Sequence, residues 1–229
     1  LSASDQKEAF AASKRLEASY HLENLRENST ADNYRLNLFY LEMLDRAFSQ
    51  ADPKLPASLQ ALDIGVSDWF YVQGLLAFLT WWHCSSPRHV QLSGYEADAF
   101  RVYGNLFSRF DYAQAYMKGL ENVEYIADRF VAQKERFDLV TMFFPFVFIK
   151  DHLIWGLPRK KFAPMPLLND ALTSLKKDGV LFIVNQGKDE HEAQQNMLSE
   201  KGIHPVAAGI HPSLMYHYEI PRYVLLAIK

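Results

Sequence analysis

The run Val180-Leu181-Phe182-Ile183-Val184 is apolar at every position. Side chains alternate between the two faces of a strand, so this segment must be covered on both. Phe137 to Phe144 is strongly strand-like, and Gln60 to Ile64 is a short apolar run ending at Gly65. His89 to Tyr95, Val123 to Ile126, Ile203 to Ala208 and Tyr223 to Ile228 complete the predicted strands. Helical segments separate them: Phe70 to Trp82, Ala97 to Lys118, Leu167 to Lys177 and Glu190 to Lys201. Asp178-Gly179 and Gly202 read as C-terminal stops for the last two. Continuous apolar strands alternating with helices predict an α/β fold, a mostly parallel sheet with helices on both faces.

The first fifty residues are built differently. Leu36, Phe39, Tyr40, Met43, Leu44, Ala47 and Phe48 recur at helical spacing, an amphipathic stripe. Ser29 or Thr30 can cap it, Asp32 suits its first turn, and Asp52-Pro53 stops it. A weaker stripe through Phe10, Leu16, Tyr20 and Leu25 predicts an earlier helix over Asp5 to Glu27. The expected organisation is an N-terminal helical cap over residues 1–52 and an α/β domain over 53–229. Tyr20, Tyr34 and Arg35 are candidates for a lid.

Charge and composition narrow the partners. Among 229 residues, 24 Lys plus Arg face 27 Asp plus Glu, a net charge of −3. That speaks against broad neutralisation of nucleic-acid phosphates. The single cysteine, Cys84, excludes an internal disulfide and fits a reducing compartment. No secretory pattern opens the sequence, and no apolar stretch reaches the ~20 residues that span a bilayer. A cytoplasmic protein without membrane contact is the expectation.

Parallel sheets bind ligands beyond the carboxyl ends of their strands. The residues found there are Asp63-Ile64-Gly65-Val66-Ser67 after the first strand, Glu96 after the second and Asp128-Arg129-Phe130 after the third. Gly65 permits a tight backbone turn. A carboxylate such as Glu96 can take both hydroxyls of a ribose, and one such as Asp128 can accept from an exocyclic amine. After the fourth strand comes an apolar wall, Met142-Phe143-Phe144-Pro145-Phe146.

From Gln60 to Lys229 this constellation resembles the class I S-adenosylmethionine-dependent methyltransferases. The resemblance implies a Rossmann-like sheet with an antiparallel last strand, S-adenosyl-L-methionine as cofactor, and methyl transfer to a small-molecule acceptor. It implies that Asp63, Gly65, Val66 and Ser67 surround the methionine portion. Glu96, with Ala97 beside it, would hold the ribose. Asp128, Arg129 and Phe130 would meet the adenine. Met142 and Phe143 would floor the site beside the transferable methyl group, with Phe144, His152 and Tyr34 as substrate-side candidates. The family's three alternating glycines are reduced here to Gly65, with Ser67 and Trp69 at the other two places.

The same residues admit competing readings. A nicotinamide-dependent oxidoreductase wants G-x-G-x-x-G, and no second glycine follows Gly65 before Gly74. A non-catalytic module of the same fold is suggested by the reduced glycine loop and Trp69. His204, His211 and His217 match no zinc spacing, and two precede proline, so no metal is expected. Arg159-Lys160-Lys161 reads as solvated surface, with a phosphate or carboxylate edge as the lesser alternative. Phe-Phe-Pro-Phe lacks the polar first residue of the amino-methyltransferase motif that acts on bases, so nucleic acid is not expected as substrate. His152 can serve as a general base near neutral pH.

Overall fold

The computed structural model of the chain describes residues 2–229. Its strands are β1 (Ser58–Ile64), β2 (His89–Tyr95), β3 (Val123–Ile126), β4 (Phe137–Phe143), β5 (Leu175–Gln186), β6 (Pro205–Ile210) and β7 (Arg222–Ile228). They form one seven-stranded sheet in the order β3-β2-β1-β4-β5-β7-β6. β1 to β5 run parallel, and β7 lies antiparallel to both β5 and β6. This is the Rossmann-like arrangement with a reversed last strand that the apolar runs and the resemblance predict.

Both faces of the sheet are covered, which is why its inner strand β5 reads as an unbroken apolar run over Val180–Val184. One face packs against α3 (Ala31–Ala51), α4 (Val72–Trp81) and α5 (Arg109–Met117); the other packs against α7 (Pro164–Ser174) and α8 (Gly187–Ser199). In β1, Leu59 and Ala61 belong to the first core and Leu62 and Ile64 to the second, the two-residue alternation of a central strand.

The N-terminal helices α1 (Ala3–Tyr20), α2 (Glu23–Asn28) and α3 share the first core with β1, β2 and β5. Thr30 caps α3, accepting from the Asn33 N–H at 3.2 Å. The apolar stripe of α3 lies across α4, β6 and β7, so this helix is a layer of the sheet's own covering. Gly74 makes the close crossing possible: a Cβ there would meet the Asn37 carbonyl oxygen at 3.0 Å. Asn37 then serves the first turn of α4, donating to the Phe70 carbonyl at 3.0 Å and accepting from the Gly74 N–H at 2.9 Å.

Three expected elements differ. The helix foreseen over Asp5 to Glu27 breaks at His21, which adopts φ 54° and donates its N–H to the Glu17 carbonyl. The helix foreseen over Ala97 to Lys118 begins only at Arg109. Ser108 and Asp111 form a capping box that starts it, and a small reversal ahead of it pairs Val102 with Ser108. Asp178-Gly179 does not end a helix: α7 stops at Ser174, and Asp178, at φ 61°, lies in a kink within β5. The structure also adds a short helix after β4, α6 (Ile149–Ile154).

Candidate functional site at the carboxyl edge

Strand register brings the sequence-selected residues to one edge. Ile64, Tyr95 and Ile126 stand level across β1, β2 and β3. The next residues are tied across: the Gly65 N–H donates to the Tyr95 carbonyl at 2.8 Å, and the Glu96 N–H donates to the Ile126 carbonyl at 3.0 Å. Gly65 takes φ 78°, and a Cβ placed on it would meet nothing within 4 Å, so the backbone is open there to an approaching group. Ala97, Asp128 and Arg129 are exposed along the same rim, while Phe130 is buried with its ring 5.1 Å from Tyr95.

Asp63 is not open at this rim. It is wholly buried, and its carboxylate is boxed by three donors. Trp69 Nε1 and Tyr71 Oη donate to Oδ2 at 2.8 and 2.9 Å, and Thr141 Oγ1 donates to Oδ1 at 2.8 Å. Burial raises the carboxyl to about 6 in spite of these three bonds. The Tyr71 hydroxyl, buried against it, is pushed well above its ordinary value. The Trp69 indole packs against β2, where Gly94 leaves room: a Cβ at Gly94 would fall 2.6 Å from the ring. Ser67 and Trp69 both adopt φ 54°, an uncommon backbone for such residues. The loop therefore closes its turn with a wedge of tryptophan where glycines would let it lie close.

Glu96 is nearly buried and partly committed. Oε2 accepts from the Ser67 N–H at 2.8 Å and Oε1 from the Asp98 N–H at 2.8 Å. Arg109 Nη1 stands 3.5 Å from Oε1 and 3.5 Å from Asp98 Oδ2. A carboxylate offers about four acceptor positions, so roughly one remains for a further donor. The Ser67 carbonyl accepts from Tyr125 Oη at 2.7 Å, and Val66 is buried beneath the turn with its N–H 3.3 Å from the Tyr95 carbonyl. Asp68 accepts from Tyr103 Oη at 3.1 Å, and burial raises both groups above their ordinary values.

Across the sheet, Phe143 and Phe144 end β4 against Tyr40 of α3, at 5.4 and 6.1 Å between ring centroids, and Phe143 lies 4.5 Å from Tyr71. Met142 points to the opposite face, into the second core. Phe144 adopts φ 58° while its N–H holds the Val184 carbonyl at 2.8 Å. His152 is buried between Phe146 and Phe162, its Nε2 3.0 Å from the Pro158 carbonyl. A carbonyl can only accept, so Nε2 carries the proton in this contact. Tyr34 is not at this edge contact either: it donates to Glu17 Oε2 at 3.0 Å, and burial beside that carboxylate pushes it up to about 12. Tyr20 likewise bonds Asp45 within the helical layer, and Arg35 is exposed. The basic run Arg159 to Lys161 is an exposed turn.

Several residues were not singled out from the sequence. Arg109 braces Glu96 and stands 5.2 Å over the Trp155 ring. Its signal was present in the Ser108-x-x-Asp111 capping pattern, which sets where α5 begins. Thr141 reaches Asp63 from a strand 78 residues away. Arg222, Tyr218 and Tyr40 gather beside Phe144, and no local pattern announces them. Among the described residues, no group of three or more His, Cys, Asp or Glu could hold a metal ion, and no helix is long and apolar enough to cross a membrane.

Solved structures show the same fold. A SAM-dependent methyltransferase from Aquifex aeolicus is similar over 85% of this chain and 92% of its own, at 17% identity and a TM-score of 0.56. A SAM-dependent methyltransferase from Leishmania major is similar over 96% of this chain and 82% of its own, at 12% identity and a TM-score of 0.56. A possible exported protein from Bordetella parapertussis is similar over 83% and 67%, at 14% identity and a TM-score of 0.54. No family model and no curated protein matches the sequence. The chain has the class I methyltransferase fold.

Proposed function

We propose that the protein binds S-adenosylmethionine at the β1–β2–β3 edge and transfers its methyl group to an acceptor seated beyond β4 and β5. The observation that carries this reading is the alignment of Gly65, Glu96 and Asp128 on one rim of a class I methyltransferase sheet. The cofactor supplies an activated methyl group when bound; the chain's part is to orient and desolvate. Gly65 gives the open backbone at the turn, and Val66 and Ser67 shape it from below. Glu96 has one acceptor position left for a sugar hydroxyl, and Asp128 is exposed to accept from a base amine, with Ala97 and Arg129 along the way. Phe143 and Phe144 wall off water on the acceptor side. Asp63 acts from underneath, as the anchor of the Trp69 wedge, without touching the cofactor. A small molecule is the proposed acceptor and the cytoplasm the proposed location.

A second reading, a non-catalytic module of this fold, is favoured by one specific observation: the amides of Gly65, Val66 and Ser67 are already spent on Tyr95 and Glu96. Calorimetric titration with S-adenosylmethionine and S-adenosylhomocysteine separates the two. The methyl-transfer reading requires binding that weakens about tenfold or more in Glu96→Gln, the loss of one charge-assisted hydrogen bond. No heat at millimolar cofactor in wild type would leave the module reading.

A further inference from the structure

Three arginines are buried among the described residues, and two explain themselves. Arg109 is paired with Glu96 and Asp98. Arg88 caps the C-terminus of α4, donating to the Leu79 and Trp82 carbonyls, where the helix dipole favours a cation. Arg222 has neither arrangement. It is 9% exposed, its Nη1 donates to the Ile220 carbonyl at 2.9 Å, and its buried Nε, like those of Arg88 and Arg109, has no acceptor. No described carboxylate lies within 4.0 Å of it. Glu190 is near enough to feel its charge, but Glu190 Oε2 is taken by the Gln186 N–H at 2.7 Å. Tyr40 and Tyr218 hydrogen-bond each other at 3.0 Å beside the guanidinium. Burial raises both hydroxyls, so neither supplies a phenolate counter-charge. The Glu190 carboxylate thus compensates the cation only from beyond 4.0 Å, and a buried cation without a contacting partner is costly.

The surroundings are those of a receiving site. Arg222 opens β7, which runs antiparallel, so it stands at the carboxyl edge opposite Gln186 of β5. The Tyr218 ring lies 3.9 Å and the Phe144 ring 4.8 Å from the guanidinium carbon. Aromatic rings over its face hold the guanidinium plane, and the Tyr40 and Tyr218 hydroxyls accept from it, so an arriving oxyanion shares its in-plane N–H donors with them. Phe144 holds its place at φ 58°, a strained backbone for an aromatic residue. A solvent-open cavity of about 410 Å³ lies between Gln186, residues 216–220 and Arg222. Glu219 and His217 are exposed at its lining.

We propose that Arg222, planed by Phe144 and Tyr218, is the anion-recognition residue of the acceptor site, so that the acceptor carries a carboxylate or phosphate on a body that packs against the tyrosines of the cavity. This assignment rests on the methyl-transfer reading only for the word acceptor; the anion site stands on its own geometry. Phenyl phosphate, benzoate and neutral benzyl alcohol serve as probes, titrated by ligand-detected NMR to about 10 mM, beyond the millimolar range of weak small-ligand sites. At least one of the two anions should bind and benzyl alcohol should not, and whichever anion binds more tightly identifies the source chemistry. Arg222→Gln should weaken anion binding about tenfold or more while leaving the S-adenosylmethionine titration unchanged. Phe144→Leu, which keeps the charge and loses a ring face, should weaken it in the same direction and covers the case in which Arg222→Gln does not fold. Absence of binding by both anions, equal binding of benzyl alcohol, or affinity indifferent to either substitution would overturn the assignment. Anion binding without cofactor binding would instead remove the methyl-transfer reading and leave the anion site in place.

Discussion

Asp63→Asn replaces a buried carboxylate with a neutral amide of the same shape, and its effect follows from the box around it. Burial raises the Asp63 carboxyl from 3.8 to about 6. At 1.36 kcal/mol per unit, about two units correspond to about 3 kcal/mol of pH-dependent stability. Below pH 3.8 the group is protonated in both folded and unfolded chains, and its favourable contribution is complete. Between about pH 4 and 6 the folded state keeps a proton that the unfolded chain has released, so stability falls as pH rises. Above 6 both states are ionised and the contribution is gone. The amide can retain the donor set: its oxygen accepts from Trp69 and Tyr71, and its nitrogen donates to Thr141 Oγ1, which can turn its own proton to the Leu62 carbonyl at 3.3 Å. His211 opposes this trend over the same interval, because burial lowers its imidazole to about 4. The wild-type curve alone is therefore shallow, and the difference curve isolates Asp63. Urea unfolding followed by circular dichroism supplies it, as Trp69 fluorescence would be disturbed by the substitution. From about pH 4 to about pH 7 the asparagine variant should gain about 3 kcal/mol on wild type. A difference curve that stays flat would refute the claim that this carboxylate is desolvated and charged at neutral pH.

Gly94→Ala pushes a Cβ to 2.6 Å from the Trp69 ring and should cost about 1–3 kcal/mol by overpacking. Adding Trp69→Phe should return part of that cost, so urea midpoints that prove additive across the double-mutant cycle would show that the wedge does not press on β2. His211 Nε2 lies 3.7 Å from Glu42 Oε2, yet burial favours the neutral imidazole and raises the Glu42 carboxyl, so the pair is not an ion pair at neutral pH. Its stabilising contribution is present above pH 6.5 and lost as pH falls through about 4. His211→Phe should therefore flatten the acid side of the stability profile by about 3 kcal/mol, and an acid loss as steep as in wild type would contradict that sign.

The apolar run Val180–Val184 made the centre of the sheet legible, because burial on both faces leaves no polar position there, and shorter, more polar segments at strand length gave the rest. β2 and β3 occur over the residues expected, His89–Tyr95 and Val123–Ile126. The same runs put the Gly65, Glu96 and Asp128 segments at strand ends, and parallel connection brings successive ends to one edge. The misplaced start of α5 was a local error, since the capping pair Ser108 and Asp111 outweighed the apolar periodicity upstream of it. Asp178-Gly179 misled because a left-handed residue followed by glycine serves a kinked strand as well as a helix stop.

Chemical availability was a different matter. Asp63 and Glu96 read alike as carboxylates at strand ends, but one is sealed and the other keeps about one acceptor position, and the difference comes from donors on other elements: Thr141 from β4, and Arg109 from the start of α5. Arg222 gains its meaning from Phe144 and Tyr218, which the chain brings beside it only on folding. Backbone pattern is dictated by neighbours along the chain and survives in the sequence as periodicity. The state of a buried charge is dictated by what lies within hydrogen-bonding or ring-contact distance of it in space, and that was decided only when the sheet closed.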